Sequence, residues 1–410
     1  MTARAAAFAI LRAVRAGAHF DEALDAHLGD LPPVDRGLAH ELAAGVLRNR
    51  SRLDAALVPL VTAPWMRVGD DTKDLLRLGA WQVIGLDRVP EYAVVNDTVE
   101  VAKQTVGTKV SGLVNAVLRR LVREGVPPLP PGADLATRFS HPSWLVARWV
   151  ARYGPASTSR LLEHNNRAPA VHVRPTRWTH QQLVTAFAEA DIPFHETDYG
   201  LAVRGCRVTD LPGFAEGGFI VQDPAQGSVV AFAAIPEGTL IWDACAAPGG
   251  KAAALAAGRR VVAGERARAR LPRLVGTVRR AAPSVAVVAA DATRPPFGLG
   301  QFDAVLLDVP CSATGTFAKH ADARWRIEEG DIARLAERQG GLLRGAAETV
   351  REGGLLVYIT CSLEPEENGM QVNDFLGQDP RFCRTVDDLV VFPPDAGTDG
   401  AYAARMERVA

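Results

Sequence analysis

Apolar positions in the first third of the chain recur at helical spacing. Ala7, Ile10, Leu11 and Val14 line one face, Leu38, Leu42 and Val46 a second, and Leu113, Val117 and Leu121 a third. Breaks fall at Pro32-Pro33, Ala63-Pro64 and Val89-Pro90, because proline removes a backbone donor and drives the residue before it out of helical geometry. Residues 1–124 therefore read as an all-α domain. Four prolines within residues 125–132 mark a stiff linker, placed at residues 125–137. Residues 138–235 form a small α/β region, with a helix at residues 144–153 and β-prone runs at residues 170–173 and 218–222.

Beyond Pro236 the texture changes. Apolar runs of strand length at residues 239–242, 261–263, 285–290, 304–307 and 355–359 alternate with helical stretches such as residues 331–350. That alternation predicts a parallel sheet covered by helices over residues 236–410. In such a sheet, ligands sit at the carboxyl ends of the strands. The chemistry is therefore sought directly after each run.

Composition narrows the function classes. Lys and Arg number 46 against 47 Asp and Glu, a net charge of −1, so overall charge does not argue for a nucleic-acid partner. Any attraction for phosphate must be local. Residues 259–280 hold eight arginines against one acid, Glu265, a stretch that reads equally as a phosphate-attracting patch or as a solvated helix face. The five cysteines are widely spaced with no C-x-x-C, which argues against a disulfide framework. No run of eighteen or more apolar residues occurs and the N-terminus lacks a cleavable leader pattern, so a soluble cytoplasmic protein without membrane partners is expected.

The first run leads into Asp243-Ala-Cys-Ala-Ala-Pro-Gly-Gly-Lys251, where small residues and two glycines let backbone amides approach a ligand at the start of a helix. This is not G-x-G-x-x-G, which weakens a nicotinamide reading but suits a nucleoside. Glu265, after the second run, can accept hydrogen bonds from two ribose hydroxyls. Asp291, after the third, is placed to accept from an adenine amino group or to cap the following turn. The fourth run ends Asp308-Val-Pro-Cys311-Ser and the fifth Thr360-Cys361-Ser362. A lone cysteine is more often a small buried hydrophobe than a nucleophile, but two at strand ends beside acids and a glycine-rich turn point to chemistry. The reaction that needs them is methylation of an unactivated pyrimidine: a thiolate adding at C6 makes C5 nucleophilic enough to take a methyl group from a sulfonium donor. One cysteine adds, and a second group helps resolve the adduct. Asp308 is suited to the base edge, and Lys251 to orienting that acid and lowering a neighbouring thiol's pKa. Spacing alone does not decide which thiol attacks.

Residues 243–251, Asp308-Val-Pro-Cys-Ser-Ala-Thr-Gly315 and Thr360-Cys-Ser-Leu-Glu-Pro-Glu-Glu-Asn368 resemble the motifs of bacterial 16S rRNA (cytosine-C5)-methyltransferases of the Fmu/Sun (RsmB) type. Val114-Asn-Ala-Val-Leu-Arg-Arg120 resembles part of that type's NusB-like domain, and Val221-Gln-Asp-Pro-Ala-Gln-Gly227 the segment before its catalytic domain. The resemblance implies a NusB-like helical RNA-binding domain, a small α/β RNA-binding region and a class I, Rossmann-like methyltransferase domain. It implies S-adenosyl-L-methionine as cofactor, held by Cys245, Ala246, Ala247, Pro248, Gly249, Gly250, Lys251, Glu265, Asp291 and Asp308. Cys361 takes the role of nucleophile and Cys311 that of the thiol assisting release, with Asp308 and Lys251 completing the catalytic set. Glu265 stands where the type usually has aspartate, and Ala401 where it has an aromatic residue.

The implied partner is RNA, either 16S rRNA or a small-subunit particle, met by a monomer that holds no metal. The cysteines and His320 lack metal-ligand spacing, His320 reads as a structural histidine, and Cys206 and Cys383 as packed or surface thiols. Three other readings remain open: a transfer-RNA cytosine methylase, a non-catalytic NusB-like RNA-binding factor, and a dinucleotide-dependent oxidoreductase. Both catalytic-type cysteines oppose the second, and the glycine pattern opposes the third.

Overall fold

The computed structural model describes residues 1–29, 31–86 and 89–409. The chain divides into two compact units, Met1–Arg167 with Phe317–Ile327, and Ala168–Thr316 with Glu328–Ala410.

The first unit is helical. Its main helices are Ala3–Arg15, Phe20–Leu28, Pro33–Leu57, Asp70–Gly85, Glu91–Thr105, Thr108–Glu124 and Ser143–Asn166. Thr2 caps the first by accepting from the Ala5 N–H, and Pro33 opens the third, where its missing donor costs nothing. The last is two helices divided at Gly154, whose φ of +76° no helix accommodates; the first of the two ends where the sequence places its end. The faces read from the sequence are the buried ones: Ala7, Ile10, Leu11, Leu42, Val46, Val117 and Leu121 share one core. A buried ionic network supports it, in which Arg77 forks onto Asp54 at 2.7 and 2.8 Å and reaches Asp74, which Arg15 also contacts.

Phe317–Ile327 is built into this unit although it is remote in sequence. Ala321 lies in the helical core with Trp325 packed against it. The indole N–H donates to Leu47 O at 2.7 Å. Arg324 is wholly buried and donates to Asn166 Oδ1 at 2.6 Å, Asn165 O at 2.8 Å, Phe317 O at 3.1 Å and Ser140 O at 3.3 Å. No carboxylate is among these acceptors, and burial lowers its pKa to about 9. The helical unit thus extends well past residue 124.

The second unit holds two sheets. The smaller is antiparallel in the order β2-β3-β1-β4, with β1 Val171–Pro175, β2 Phe194–Thr197, β3 Gly200–Val203 and β4 Phe219–Val221. The helix His180–Glu189, opened by a Thr179–Gln182 capping box, packs Leu183 and Phe187 against Val173, Leu201 and Phe219.

The larger sheet contains β5 Leu240–Asp243, β6 Arg260–Glu265, β7 Ala286–Ala289, β8 Phe302–Asp308 and β9 Val350–Thr360, followed by β10 Phe382–Arg384, β11 Leu389–Val391 and β12 Ala401–Arg408. Its order is β10-β12-β9-β8-β5-β6-β7, with β11 pairing β12. The five strands read from the sequence pair in parallel, and β12 runs antiparallel to β9. Continuous apolar runs fit strands covered on both faces: Ile241, Ala263, Leu306 and Val357 feed one core layer, Trp242, Val305, Leu307 and Tyr358 the other. This is the α-helical plus α/β architecture expected from the sequence. The helix Ser143–Asn166, which overlaps the one expected in the small α/β region, lies instead in the helical unit, and one helix end beside the larger sheet differs. The helix expected at residues 331–350 is Glu329–Ala347, and Val350 already starts β9 by pairing with Phe302. No helix of the described residues is long and apolar enough to cross a membrane.

Candidate active site

Five strand ends supply the site. Asp243 closes β5, and the turn after it is pinned to both neighbouring strands: Ala244 N donates to Leu306 O and Ala246 N to Gly264 O, each at 2.8 Å. The turn closes at Gly249, with φ +106°, where an added Cβ would come within 3.0 Å of Leu274. Any other residue there would be strained and crowded. Lys251 follows on the helix Gly250–Leu255 and sends Nζ to Asp308 Oδ2, at the end of β8, at 2.6 Å. Burial pulls the Lys251 pKa down, but Asp308 more than compensates and holds it up.

Asp243 is buried beneath this pair, and neither of its oxygens makes a well-formed hydrogen bond. Burial, then the negative charge of Asp308, pushes its pKa up to about 7 against the pull of Lys251 and the Ala252 N–H. Cys245 is raised for the same reasons, burial first and Asp243 second, which leaves it a thiol. Glu265, buried at the end of β6, accepts from Ala267 N through Oε1 at 2.7 Å. Asp291 accepts from Thr293 N at 2.9 Å and Thr293 Oγ1 at 2.7 Å, so it does cap its own turn. Burial raises its pKa, yet Thr293's donors and Arg266, 3.7 Å away, outweigh that and hold it low.

The two cysteine loops meet. Cys311 Sγ and Cys361 Sγ are 3.3 Å apart. The Cys311 thiol is pushed well above its ordinary pKa, first by its hydrogen bond with Cys361 and then by burial. Behind the thiols, Gly315 N donates to Cys361 O at 3.0 Å and Gly400 N to Gly315 O at 2.7 Å. A Cβ on Gly315 would sit 2.7 Å from Cys361 O and 2.9 Å from Gly400 Cα, so close backbone approach requires both glycines. Ala401 follows as the first residue of β12, buried in the core.

The remaining candidates separate. Among the described residues no group of three or more His, Cys, Asp or Glu side chains converges as a metal site would. His320 is exposed on the segment that joins the helical unit, Cys206 is half-buried and Cys383 exposed. The arginine-rich stretch divides. Arg259 is bound to Ile235 O, and Arg280 to Phe214 O and Phe219 O, while Arg266, Arg268, Arg270, Arg273 and Arg279 are exposed.

Comparison with known proteins places this geometry. Residues 230–407 match the family model described as 16S rRNA methyltransferase RsmB/F, residues 1–123 match the NusB family, and residues 141–204 match the RsmF/B-like ferredoxin-like domain. Ribosomal RNA small subunit methyltransferase B of Vibrio cholerae is 35% identical over 98% of this chain and 96% of its own length. The chain belongs to the RsmB/F family of 16S rRNA methyltransferases. Among solved structures, that of PH0851 covers 99% of both chains with a TM-score of 0.84 at 22% identity. That of NSun6 from Pyrococcus horikoshii with SFG covers 66% of this chain and 98% of its own, with a TM-score of 0.59 at 16% identity. Both likenesses are of fold.

Within this methyltransferase, sequence reading passed over a group beside the thiols. Glu367, Gln339, Tyr358 and Asn368 form a buried polar cluster under the two cysteine loops. Tyr358 OH donates to Glu367 O at 2.7 Å, Gln339 Nε2 to Pro310 O at 3.0 Å, and Asn368 Nδ2 to Ser362 O at 2.8 Å. The available signal was the Glu-Glu-Asn ending of the Thr-Cys-Ser motif. Gln339, on a long helix, carried none.

Proposed function

We propose that this methyltransferase methylates C5 of a cytosine in RNA, with 16S ribosomal RNA as substrate and S-adenosyl-L-methionine as donor, through a covalent bond between Cys361 Sγ and C6 of the base. The observation that carries the reading is the pair of thiols 3.3 Å apart in the loops after β8 and β9, beside the Lys251–Asp308 ion pair at the end of β8. The small-subunit rRNA in the name of the Vibrio cholerae relative supports the substrate class.

The residues fit the donor. Asp243 is a buried acid without a well-formed hydrogen bond, which a cationic ligand nearby would favour as the carboxylate, and Glu265 uses only Oε1 on its own backbone, so Oε2 remains for a ribose diol. Residues 245–251, Glu265, Asp291 and Asp308 would hold it. When bound, it supplies an electrophilic methyl group.

The rest is done by the protein. The target cytosine must be unpaired or flipped for C6 to be reached. The Cys361 thiolate forms the S–C6 bond, and the electron pair displaced from the C5–C6 double bond makes C5 nucleophilic. Asp308, fixed by Lys251, accepts from the exocyclic amine and holds the base edge, while the Lys251 ammonium offsets the negative charge that attack pushes onto the ring. After methylation the C5 proton leaves to a base, the double bond reforms and Cys361 departs as thiolate. Cys311 assists that release: its thiol is held protonated mainly by Cys361, and the restraint is removed once Cys361 is bonded to carbon. Bisulfite mapping of RNA from a deletion strain complemented with the native gene or with Cys361→Ala tests the reading. One cytosine should be protected by the first and not by the second; equal protection by both would overturn it.

A further inference from the structure

The two thiols reach each other because one carboxyl side chain fastens the residues that follow them. Glu367 ends the turn Pro365–Glu367 and is wholly buried. Its Oε1 accepts the Ser312 N–H and a Gln339 Nε2–H, both at 2.9 Å. Its Oε2 lies 2.5 Å from Ser362 Oγ and also touches Ser312 Oγ. Ser312 is the residue after Cys311, and Ser362 the residue after Cys361. The Gly315 N–H to Cys361 O bond and the Leu363 N–H to Thr314 Oγ1 bond, 2.8 Å, reach the Cys311 loop only four and three residues past its thiol. Glu367 ties the two loops at the residue directly after each cysteine.

Proton counting specifies its form. The two serine hydroxyls are 2.9 Å from each other as well as in contact with Oε2, so three oxygens form a closed triangle of three contacts. Hydrogen bonding at all three contacts takes three hydrogens, and two hydroxyls supply two. The third is the carboxyl's own. A neutral acid also suits the other oxygen, which as a carbonyl accepts two N–H groups, and burial pushes the carboxyl pKa up, although its hydrogen-bond donors pull the other way.

We propose that Glu367 is a positioning residue, a neutral carboxylic acid that clamps the Cys311 loop to the Cys361 loop and sets the distance between the two thiols. The inference rests on the reading that both thiols serve one base. Glu367 is wholly buried beneath the thiols, so its effect should fall on thiol juxtaposition and turnover, not on donor affinity. Glutamine offers a carbonyl for the two N–H groups and an amide that can donate to both serines. Alanine offers nothing.

The test measures juxtaposition without RNA. Phenylarsine oxide captures two thiols held side by side, releasing water, and capture by the native chain should be lost in Cys311→Ala. Glu367→Gln should be captured at the native rate and retain kcat. Glu367→Ala should be captured at least tenfold more slowly, with kcat reduced by a similar factor and S-adenosylmethionine affinity unchanged. Should Glu367→Ala not fold, as judged by donor binding, Ser362→Ala removes one arm of the clamp and should show the same loss in milder form. Native capture and kcat in a folded Glu367→Ala, or in Ser362→Ala where the former fails, would overturn the clamp. A Gln variant as defective as Ala would overturn its neutral form. Because capture involves no RNA, failure of the adduct reading would be seen separately, as methylation by Cys361→Ala.

Discussion

Cys311 Sγ lies 3.3 Å from Cys361 Sγ across fifty residues of chain. The two thiols have different proposed roles, so their replacements should fail differently. Cys361→Ala removes the attacking thiolate, and neither methyl transfer nor a covalent complex should form. Cys311→Ala leaves attack possible but slows elimination, so a denaturation-resistant protein–RNA complex should accumulate with donor present. The double variant should lose it. A denaturing gel with labelled RNA reads all three. A complex trapped by Cys361→Ala and absent from Cys311→Ala would reverse the roles, as in DNA cytosine methylases, where the Pro-Cys thiol attacks.

Donor affinity should depend on pH through Asp243. Its pKa in the donor-free fold is raised to about 7, and a cationic donor favours the ionised form. Binding must therefore expel a proton at lower pH, and affinity should fall by up to about tenfold per unit as pH drops below 7. For folding without donor the sign is opposite: the folded state holds this proton more tightly than the unfolded chain, so the stability it confers in acid is lost as pH rises through about 7. Calorimetric titrations from pH 5.5 to 8 should show the slope in the native chain and none in Asp243→Asn. An equal slope in both would assign the proton elsewhere.

Glu265 combines two tasks, the Ala267 anchor and a free oxygen. Glu265→Ala should weaken S-adenosylmethionine binding by about 1 to 3 kcal/mol, the cost of unmet hydrogen bonds to a buried diol. Glu265→Asp, which keeps both acceptors on a shorter arm, should lose less. Unchanged affinity of the alanine variant by calorimetry would remove this residue from the pocket.

Arg324 should be a stability hot spot of the helical unit. Its four acceptors, three of them backbone carbonyls, are left unmet by Arg324→Ala, and the cavity adds to the cost. About 3 kcal/mol is expected. Arg12, exposed beside Asp71, which Arg15 also contacts, should cost under about 1 kcal/mol when replaced by alanine. Urea melts followed by Trp fluorescence separate them; equal costs would refute the packing argument.

Much of this was legible from local pattern. The strands β5 to β9 are apolar runs because both faces are covered, and the site loops follow because carboxyl ends of parallel strands are where ligands reach backbone amides. The C-terminal strands were not legible. Ala401–Arg408 is alanine- and arginine-rich with no β-branched residue, and it becomes a strand because the exposed ladder of β9 offers it hydrogen bonds from Tyr402 to Glu407.

By itself the sequence determined the helices of the first third, the strands β5 to β9 and which loops would carry acids, glycines and thiols, since periodicity and turn chemistry are written within a few residues. Only the tertiary structure decided that Phe317–Ile327 belongs to the helical core and that Glu367 fastens Ser312 to Ser362. A buried arginine or glutamate must find acceptors or donors wherever the fold brings them, and those of Arg324 lie up to 184 residues away in the chain, beyond any pattern that a local stretch of sequence contains.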